Sequence, residues 1–370
     1  MKKIFNSFLL LFVPFAMMAQ TKYNLLIGTY TQGKSEGIYV YEFNSENGQL
    51  QYKNKVKTEN PSFLTLSHNK KYLYAVNEVD NGKVTAFKFN PSTGQMDSLN
   101  QVSSEGGAPC YIAIDNKDKN VIVGNYFGGN LAVLPVHNNG ELGSSIQSIQ
   151  HTGHGINKER QEKAHVHSTQ FSPDYTFLIV NDLGLDRLIS YPYNSSDNKP
   201  LTENNPPFYQ FEGGKGTRHL AFHPNGKFAY TIQELSADVI GFNYKSGVFT
   251  PFQTITMLPE GFKGDVGAAE IEISADGKFL YASNRLDIND IVIYSIDQKS
   301  GKLTYVGREA SSVKTPRSFT IDPSGNFLLV ANQGTDDIIV FKRDKKTGLL
   351  TKTDNRIEVG TPVYLLFSKK

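Results

Sequence analysis

Seven stretches of this chain share one register, and that repeat restricts the architecture more than any other feature. The copies open on Pro61-Ser62-Phe63, Pro109-Cys110-Tyr111, Val166-His167-Ser168, Thr217-Arg218-His219, Ala268-Ala269-Glu270 and Pro316-Arg317-Ser318. Pro362-Val363-Tyr364 opens a seventh that the chain end cuts short. Their second residues, Ser62, Cys110, His167, Arg218, Ala269, Arg317 and Val363, lie 48, 57, 51, 51, 48 and 46 residues apart. Periods of this size belong to arrays or propellers. Within each unit the opening leads to an apolar run such as Tyr72-Leu73-Tyr74-Ala75-Val76-Asn77 or Phe327-Leu328-Leu329-Val330-Ala331-Asn332. Alternation at period two, with Tyr, Phe, Val and Ile, favours strands over helices. Asn225-Gly226, Asp276-Gly277 and Ser324-Gly325 are hairpin signals between the first two strands. A third strand follows (Val84–Phe89, Asp337–Phe341), then a Gly-containing turn and a fourth. Four antiparallel strands per unit make a propeller blade.

The two ends complete each other. Residues 21–60 supply three strands but lack the innermost one, and residues 361–370 supply that strand and stop. A composite blade built from both termini closes the ring without open sheet edges. The expected fold is therefore all-β: a seven-bladed β-propeller of four-stranded antiparallel blades, closed by a composite N-/C-terminal blade.

Residues 1–20 place Lys2 and Lys3 before an apolar run from Phe8 to Met18, with Ala19 ahead of a cleavage point. This is the pattern of a secretory signal peptide. The run is short for a membrane span and interrupted by Pro14. The expected organisation is a signal peptide over 1–20 and a soluble propeller over 21–370. That propeller would be exported, periplasmic in a Gram-negative source, without stable membrane insertion after cleavage, and cytoplasmic if the leader does not work. Removing the two lysines takes the charge from 38 − 36 = +2 to 36 − 36 = 0. Near-neutrality argues against a nucleic-acid partner. One cysteine, Cys110, excludes an intrachain disulfide and any CxxC zinc site.

In a blade the start of the first strand and the end of the second meet at one mouth of the central channel. Structural need alone selects similar residues at equivalent positions. Instead, His167, Arg218, Glu234, Arg285 and Arg317 stand where other units carry Ser, Cys, Ala, Tyr or Val, and they come from four consecutive blades. Ionisable groups converging on a channel mouth mark a polar ligand site.

The strings Thr217-Arg218-His219-Leu220-Ala221-Phe222-His223-Pro224-Asn225-Gly226 and Gln233-Glu234-Leu235 make the resemblance specific. So do Gly28-Thr29-Tyr30, His165-Val166-His167, Asn181-Asp182-Leu183-Gly184, Ala282-Ser283-Asn284-Arg285 and Pro316-Arg317-Ser318-Phe319. The chain resembles, over residues 23–367, the seven-bladed lactonase family that includes bacterial 6-phosphogluconolactonase and the carboxymuconate-lactonizing enzyme. The resemblance implies hydrolysis of a sugar-acid lactone, 6-phosphogluconolactone first, and puts His167, Arg218, Glu234 and Arg285 at the catalytic positions.

Lactone opening needs a base for water, a proton for the ring oxygen and positive charge at the oxyanion. Glu234 is the first choice for the base and His167 for the donor, with the opposite assignment open. Arg218 would steady the oxyanion or orient Glu234, while Arg285 and Arg317 would clamp a carboxylate or phosphate. With Arg317, the residues His165, His219, Asp182, Asn125 and Gln333 are expected to bind substrate. No GxSxG elbow is present, so no acyl-enzyme is expected. An exported chain would meet a phosphorylated lactone rarely. Unphosphorylated lactones are therefore an alternative substrate, and a non-catalytic propeller binding carbohydrate or a protein is the alternative class.

No cofactor and no metal are expected. His151, His154, His165 and His167, with His137 upstream, fall in a stretch that looks like an inserted loop and are not read as a metal group, and the ring of Asn77, Glu78, Asn125, Asp182 and Asn284 reads as loop-holding groups. Gly213–Thr217 lacks Walker spacing and reads as a blade-linking turn. Cys110 reads as a packed thiol.

Overall fold

The computed structural model describes residues 21–370; the expected signal peptide, 1–20, lies outside the described residues. Those residues form seven four-stranded antiparallel sheets arranged as the blades of a propeller. Six blades are continuous in sequence: 64–103, 109–150, 166–210, 217–256, 266–309 and 316–358. The seventh is composite. Its inner strand, Pro362–Lys369, pairs antiparallel with Lys22–Thr29, which pairs in turn with Gly37–Asn44 and then Leu50–Lys57.

Burial explains the strand sequences. Second strands are sandwiched between neighbouring blades, so Asn120–Asn125 and Phe327–Asn332 are buried at every position. Such a strand can carry a near-continuous apolar run. Outer strands face solvent on one side and alternate, as Leu350–Glu358 does. Their Lys and Glu side chains guard the free edge. Blades are also tied by hydrogen bonds. The buried hydroxyls of Tyr74, Tyr230 and Tyr281 donate to the carbonyls of Gly140, Gly301 and Gly348 in the next blade's outer hairpin, at 3.1, 2.5 and 2.7 Å.

The hairpins between first and second strands are alike in all six continuous blades. Gly226, Gly277 and Gly325 take φ of +68°, +70° and +72°, and Lys70, Asp118 and Tyr175 take +61°, +54° and +59° in the other three. In each, the amide of that residue bonds to the carbonyl three positions back. The turn was legible only where glycine makes the left-handed conformation cheap.

A bulge near the start of the inner strand positions the channel-mouth side chains. The ladder skips between Pro109 and Tyr111, Val166 and Ser168, Thr217 and His219, and Pro316 and Ser318. Cys110, His167, Arg218 and Arg317 are the unpaired extra residues. A bulge re-aims the residue it frees, here toward the axis. In the fifth blade, two residues, Ala269 and Glu270, oppose Ser283 between the pairs Ala268–Asn284 and Ile271–Ala282. The ionisable group of that blade is thus Glu270, one position later than the register places it.

Below these residues an aromatic layer crosses the channel. Phe63 stacks on Tyr364 (3.7 Å between centroids) and lies 4.0 Å from Tyr111, with His219 edge-on to both Phe63 and Tyr111. The same three rings line a separate hollow at the opposite mouth.

Candidate active site

A cavity of about 370 Å³ opens at the mouth where the bulges lie, within the range of small-ligand sites. Tyr30, Glu78, Cys110, Tyr126, Arg160, His167, Glu234, Arg285 and Arg317 line it, with Phe127 and Leu286 at its edge.

Glu234 organises the cavity. It follows the strand Phe228–Gln233, and its backbone is fixed by Glu234 N–H to Gly216 O at 2.7 Å and Ala268 N–H to Glu234 O at 3.1 Å. Its carboxylate meets three guanidinium groups. Arg160 Nη2 lies 2.5 Å from Oε1, while Arg218 Nε at 2.9 Å and Arg285 Nη2 at 3.2 Å approach Oε2. Burial alone would raise its pKa. The charges of Arg285, Arg218 and Arg160 outweigh that and bring it down to about 2. Glu234 is therefore an anion at any physiological pH.

Two of the three arginines are anchored to backbone as well. Arg218 Nη1 donates to Ala269 O at 2.5 Å; Arg285 Nε donates to Gly267 O at 2.9 Å. Arg218 is buried and does not line the cavity, and its Nε bond holds the Glu234 carboxylate from behind that lining. Arg317 makes no ion pair or side-chain hydrogen bond among the described residues and stands 5.4 Å over the Tyr30 ring. The Tyr30 hydroxyl donates to both oxygens of Glu78 at 2.9 Å, which makes a second carboxylate in the same wall.

His167 faces this group with Nε2 3.9 Å from Glu234 Oε2, and its Nδ1 is buried without a partner among the described residues. Burial lowers its pKa well below the usual 6.5, and the charges of Arg218, His219, Arg317 and Arg285 lower it further. His167 is neutral at pH 7. We assign its proton to Nε2, because that nitrogen faces the carboxylate and a buried Nδ1–H would lack an acceptor. Cys110 is not a nucleophile in waiting. Burial raises its thiol far above the ordinary range, and its Sγ lies 3.4 Å from His167 O and 3.6 Å from Val166 O.

The residues 24–367 match the family described as "Lactonase, 7-bladed beta-propeller". The chain is 36% identical to 6-phosphogluconolactonase of Bacillus subtilis (strain 168), over 94% of this chain and 99% of that protein. It is 37% identical to 6-phosphogluconolactonase of Formosa agariphila, over 91% and 97%. Among solved structures, the periplasmic gluconolactonase PpgL of Pseudomonas aeruginosa superposes with a TM-score of 0.90 at 37% identity, covering 94% of this chain and 99% of that one. The chain belongs to the seven-bladed β-propeller lactonase family.

In this lactonase-family propeller the other expected binding residues stand behind the cavity rather than in its lining. His165 stacks on Tyr126 (4.4 Å, 18°) and bonds Tyr126 O through Nδ1 at 2.9 Å. His219 lies under Arg218 with Nδ1 2.9 Å from Glu270 Oε1. Asn125 donates to Ser104 O at 2.8 Å, as Asn77 does to Glu59 O and Asn332 to Ser312 O, so these strand-ending asparagines hold the segment that leads into each inner strand. Gln333 does not line the cavity; its backbone N–H bonds Thr315 O at 3.1 Å. Asp182 is fully buried, bonded to His151 Nδ1 at 2.6 Å and to the amides of His165 and Leu185. Among the described residues His154 bonds only its neighbour Gly155 O.

Sequence reasoning missed Arg160 in this member of the family. It sits in the extra length of the 57-residue unit, outside the repeat register, so alignment of the copies gives it no counterpart. Tyr30 and Glu78 appeared only as a motif match and a ring position, and their pairing across two blades needed the structure.

Proposed function

We propose that this protein hydrolyses a sugar-acid lactone by direct attack of water, with 6-phosphogluconolactone as the preferred substrate. The observation that carries the reading is the ionised Glu234 beside a neutral His167 in a cavity with surplus positive charge. Three lining arginines (160, 285, 317) face two lining carboxylates (78, 234), and Arg218 adds a fourth cation just behind. Such a field favours an anionic substrate and a developing oxyanion.

In the proposed reaction, the water oxygen bonds to the lactone carbonyl carbon and its proton passes to Glu234. The carbonyl oxygen takes up the negative charge, which Arg317 and Arg285 stabilise. Collapse breaks the bond from that carbon to the ring oxygen. The Nε2–H of His167 supports the departing oxygen, which receives the proton held by Glu234. A hydroxy acid results and ionises to its carboxylate. No covalent intermediate forms.

Turnover of 6-phosphogluconolactone by residues 21–370, corrected for spontaneous hydrolysis, tests this. Glu234→Gln should lower kcat by about 10²–10⁴-fold, the usual worth of a general base. A variant as active as the parent overturns the role of Glu234, and a folded parent without turnover overturns the reaction class.

Export of the chain is part of the proposal. It is supported by the leader-like pattern of residues 1–20 and by the similarity to a protein described as periplasmic. Export favours a second substrate reading, unphosphorylated gluconolactone, and the same assay run on both lactones ranks the two.

A further inference from the structure

We propose that Arg160 recognises the terminal phosphate of a phosphorylated lactone, and that in turning to it Arg160 uncovers the Glu234 oxygen on which it rests in this structure. The inference deepens the lactonase reading above and rests on it, with Glu234 as the base.

Three guanidinium groups hold Glu234, but they are not equivalent. The side chains of Arg218 and Arg285 are 3% and 12% exposed and are bonded to the carbonyls of Ala269, Gly267 and Ala268. That of Arg160 is 41% exposed, and among the described residues its only other partner is the Tyr126 hydroxyl at 3.4 Å. Arg218 and Arg285 cannot leave without stranding backbone carbonyls. Arg160 can. It covers Oε1, whereas the two fixed arginines and His167 all approach Oε2. With Arg160 in place, both carboxylate oxygens are engaged by cations, a poor arrangement for accepting a proton.

The segment that carries Arg160 is built to hold its backbone while leaving its side chain free. Both ends of the insert are fastened to one buried carboxylate, since Asp182 Oδ2 meets His151 Nδ1 at 2.6 Å and Oδ1 accepts the His165 amide at 2.9 Å. Between them, Asn157 Oδ1 accepts the amides of Glu159 and Arg160 at 3.1 Å, and the buried Gln161 donates to Leu183 O at 2.8 Å. Arg160 is thus delivered to the rim of the cavity from a rigid arm. A phosphate dianion offers a guanidinium more charge and more acceptor oxygens than a single carboxylate oxygen, and the planar fork suits it. A substrate that brings that anion would release its own base.

The test compares the parent, Arg160→Ala and Arg160→Lys in kcat and KM for 6-phosphogluconolactone and for gluconolactone. Calorimetric binding of 6-phosphogluconate and gluconate is measured alongside. Arg160→Ala should lose about 10- to 100-fold more kcat/KM on the phosphorylated lactone than on the unphosphorylated one, the range for one charge-assisted hydrogen bond. The loss should appear mainly in KM and be mirrored in 6-phosphogluconate binding, with Arg160→Lys recovering part of it. Equal losses on both substrates, or an unchanged preference, overturn the role of Arg160. So does a parent that turns over both lactones without preferring phosphate, an outcome that leaves the lactonase reading standing. A parent inactive on both lactones removes that reading itself.

Discussion

Arg218 shows how one side chain fixes the geometry of the cavity without lining it. Its Nε holds Glu234 and its Nη1 holds Ala269 O, so it joins the fourth blade to the fifth beneath the carboxylate. Removing one partner of a buried pair leaves the other uncompensated, at about 3–5 kcal/mol. Arg218→Ala should lower folding stability by about that amount, read from denaturant unfolding. Arg218→Lys should recover only part, because an ammonium cannot serve the carboxylate and the carbonyl with one rigid fork. A variant as stable as the parent would mean that Arg160 and Arg285 suffice to hold Glu234. At this scale the sequence was informative where a position broke the repeat. Glu234, His167, Arg285 and Arg317 stood out as ionisable groups where most other copies carry Ser, Cys, Ala, Tyr or Val, and the structure brings all four to one cavity. Asn125 and Asp182 close their second strands and Gln333 follows Asn332 at the position of Glu234, but the backbone groups of neighbouring segments claim the polar side chains of Asp182 and Asn125. A repeat alignment cannot separate these roles, because both use Asn, Asp and Gln.

The inner strand of the fifth blade, Val266–Ile273, carries a second consequence of its bulge. By turning Glu270 toward His219, it leaves Glu272, two residues further along the strand, without an ion pair among the described residues. Glu272 accepts the Ile321 amide at 3.2 Å on each oxygen. Burial raises its pKa to about 8, and Glu270 adds to the rise, against the opposing pull of the Ile321 amide, the Thr320 hydroxyl and Arg343. A raised pKa favours folding below the unfolded-state value near 4.5, and that contribution is lost as pH climbs through about 8. The histidines run the other way. His167 and His219 are both lowered by burial, so they cost stability as pH falls below about 6.5. Comparing Glu272→Gln with the parent isolates the first effect. The variant should gain in relative melting temperature between pH 5 and pH 9 and level off above about 8; a pH-independent difference would show Glu272 ionised throughout. Elements of this kind were legible as strands from their period-two pattern. The bulge was not, since an extra residue in a strand leaves no mark until the pairing partner is known.

At the scale of the whole ring, stability depends on where the chain closes. Pro362–Lys369 is the innermost strand of the composite blade and pairs with seven residues of the strand Lys22–Thr29. It also buries Val363, and it buries Leu365 among residues such as Leu25 and Ile27. Two buried aliphatic side chains are worth about 1.5–3 kcal/mol each, and the ladder adds to them. That sum takes a large share of the roughly 5–15 kcal/mol by which folded domains are stable. A chain ending at residue 361 would also leave Lys22–Thr29 as a long apolar edge, which invites association. We expect it to show no cooperative melting transition near that of the parent and to aggregate. A circular permutant separates loss of the strand from loss of the natural ends. Tyr23 lies opposite Lys369, so a short linker can join Lys370 to Thr21 and turn the composite blade into an ordinary meander. New ends can be opened at the exposed Glu105, between the first and second blades. The permutant keeps every strand but closes by blade-to-blade packing alone. It should melt cooperatively, unlike the truncation, yet below the parent, because opening its ring breaks no strand ladder. A permutant as stable as the parent would show that the shared blade contributes its buried side chains and nothing through closure.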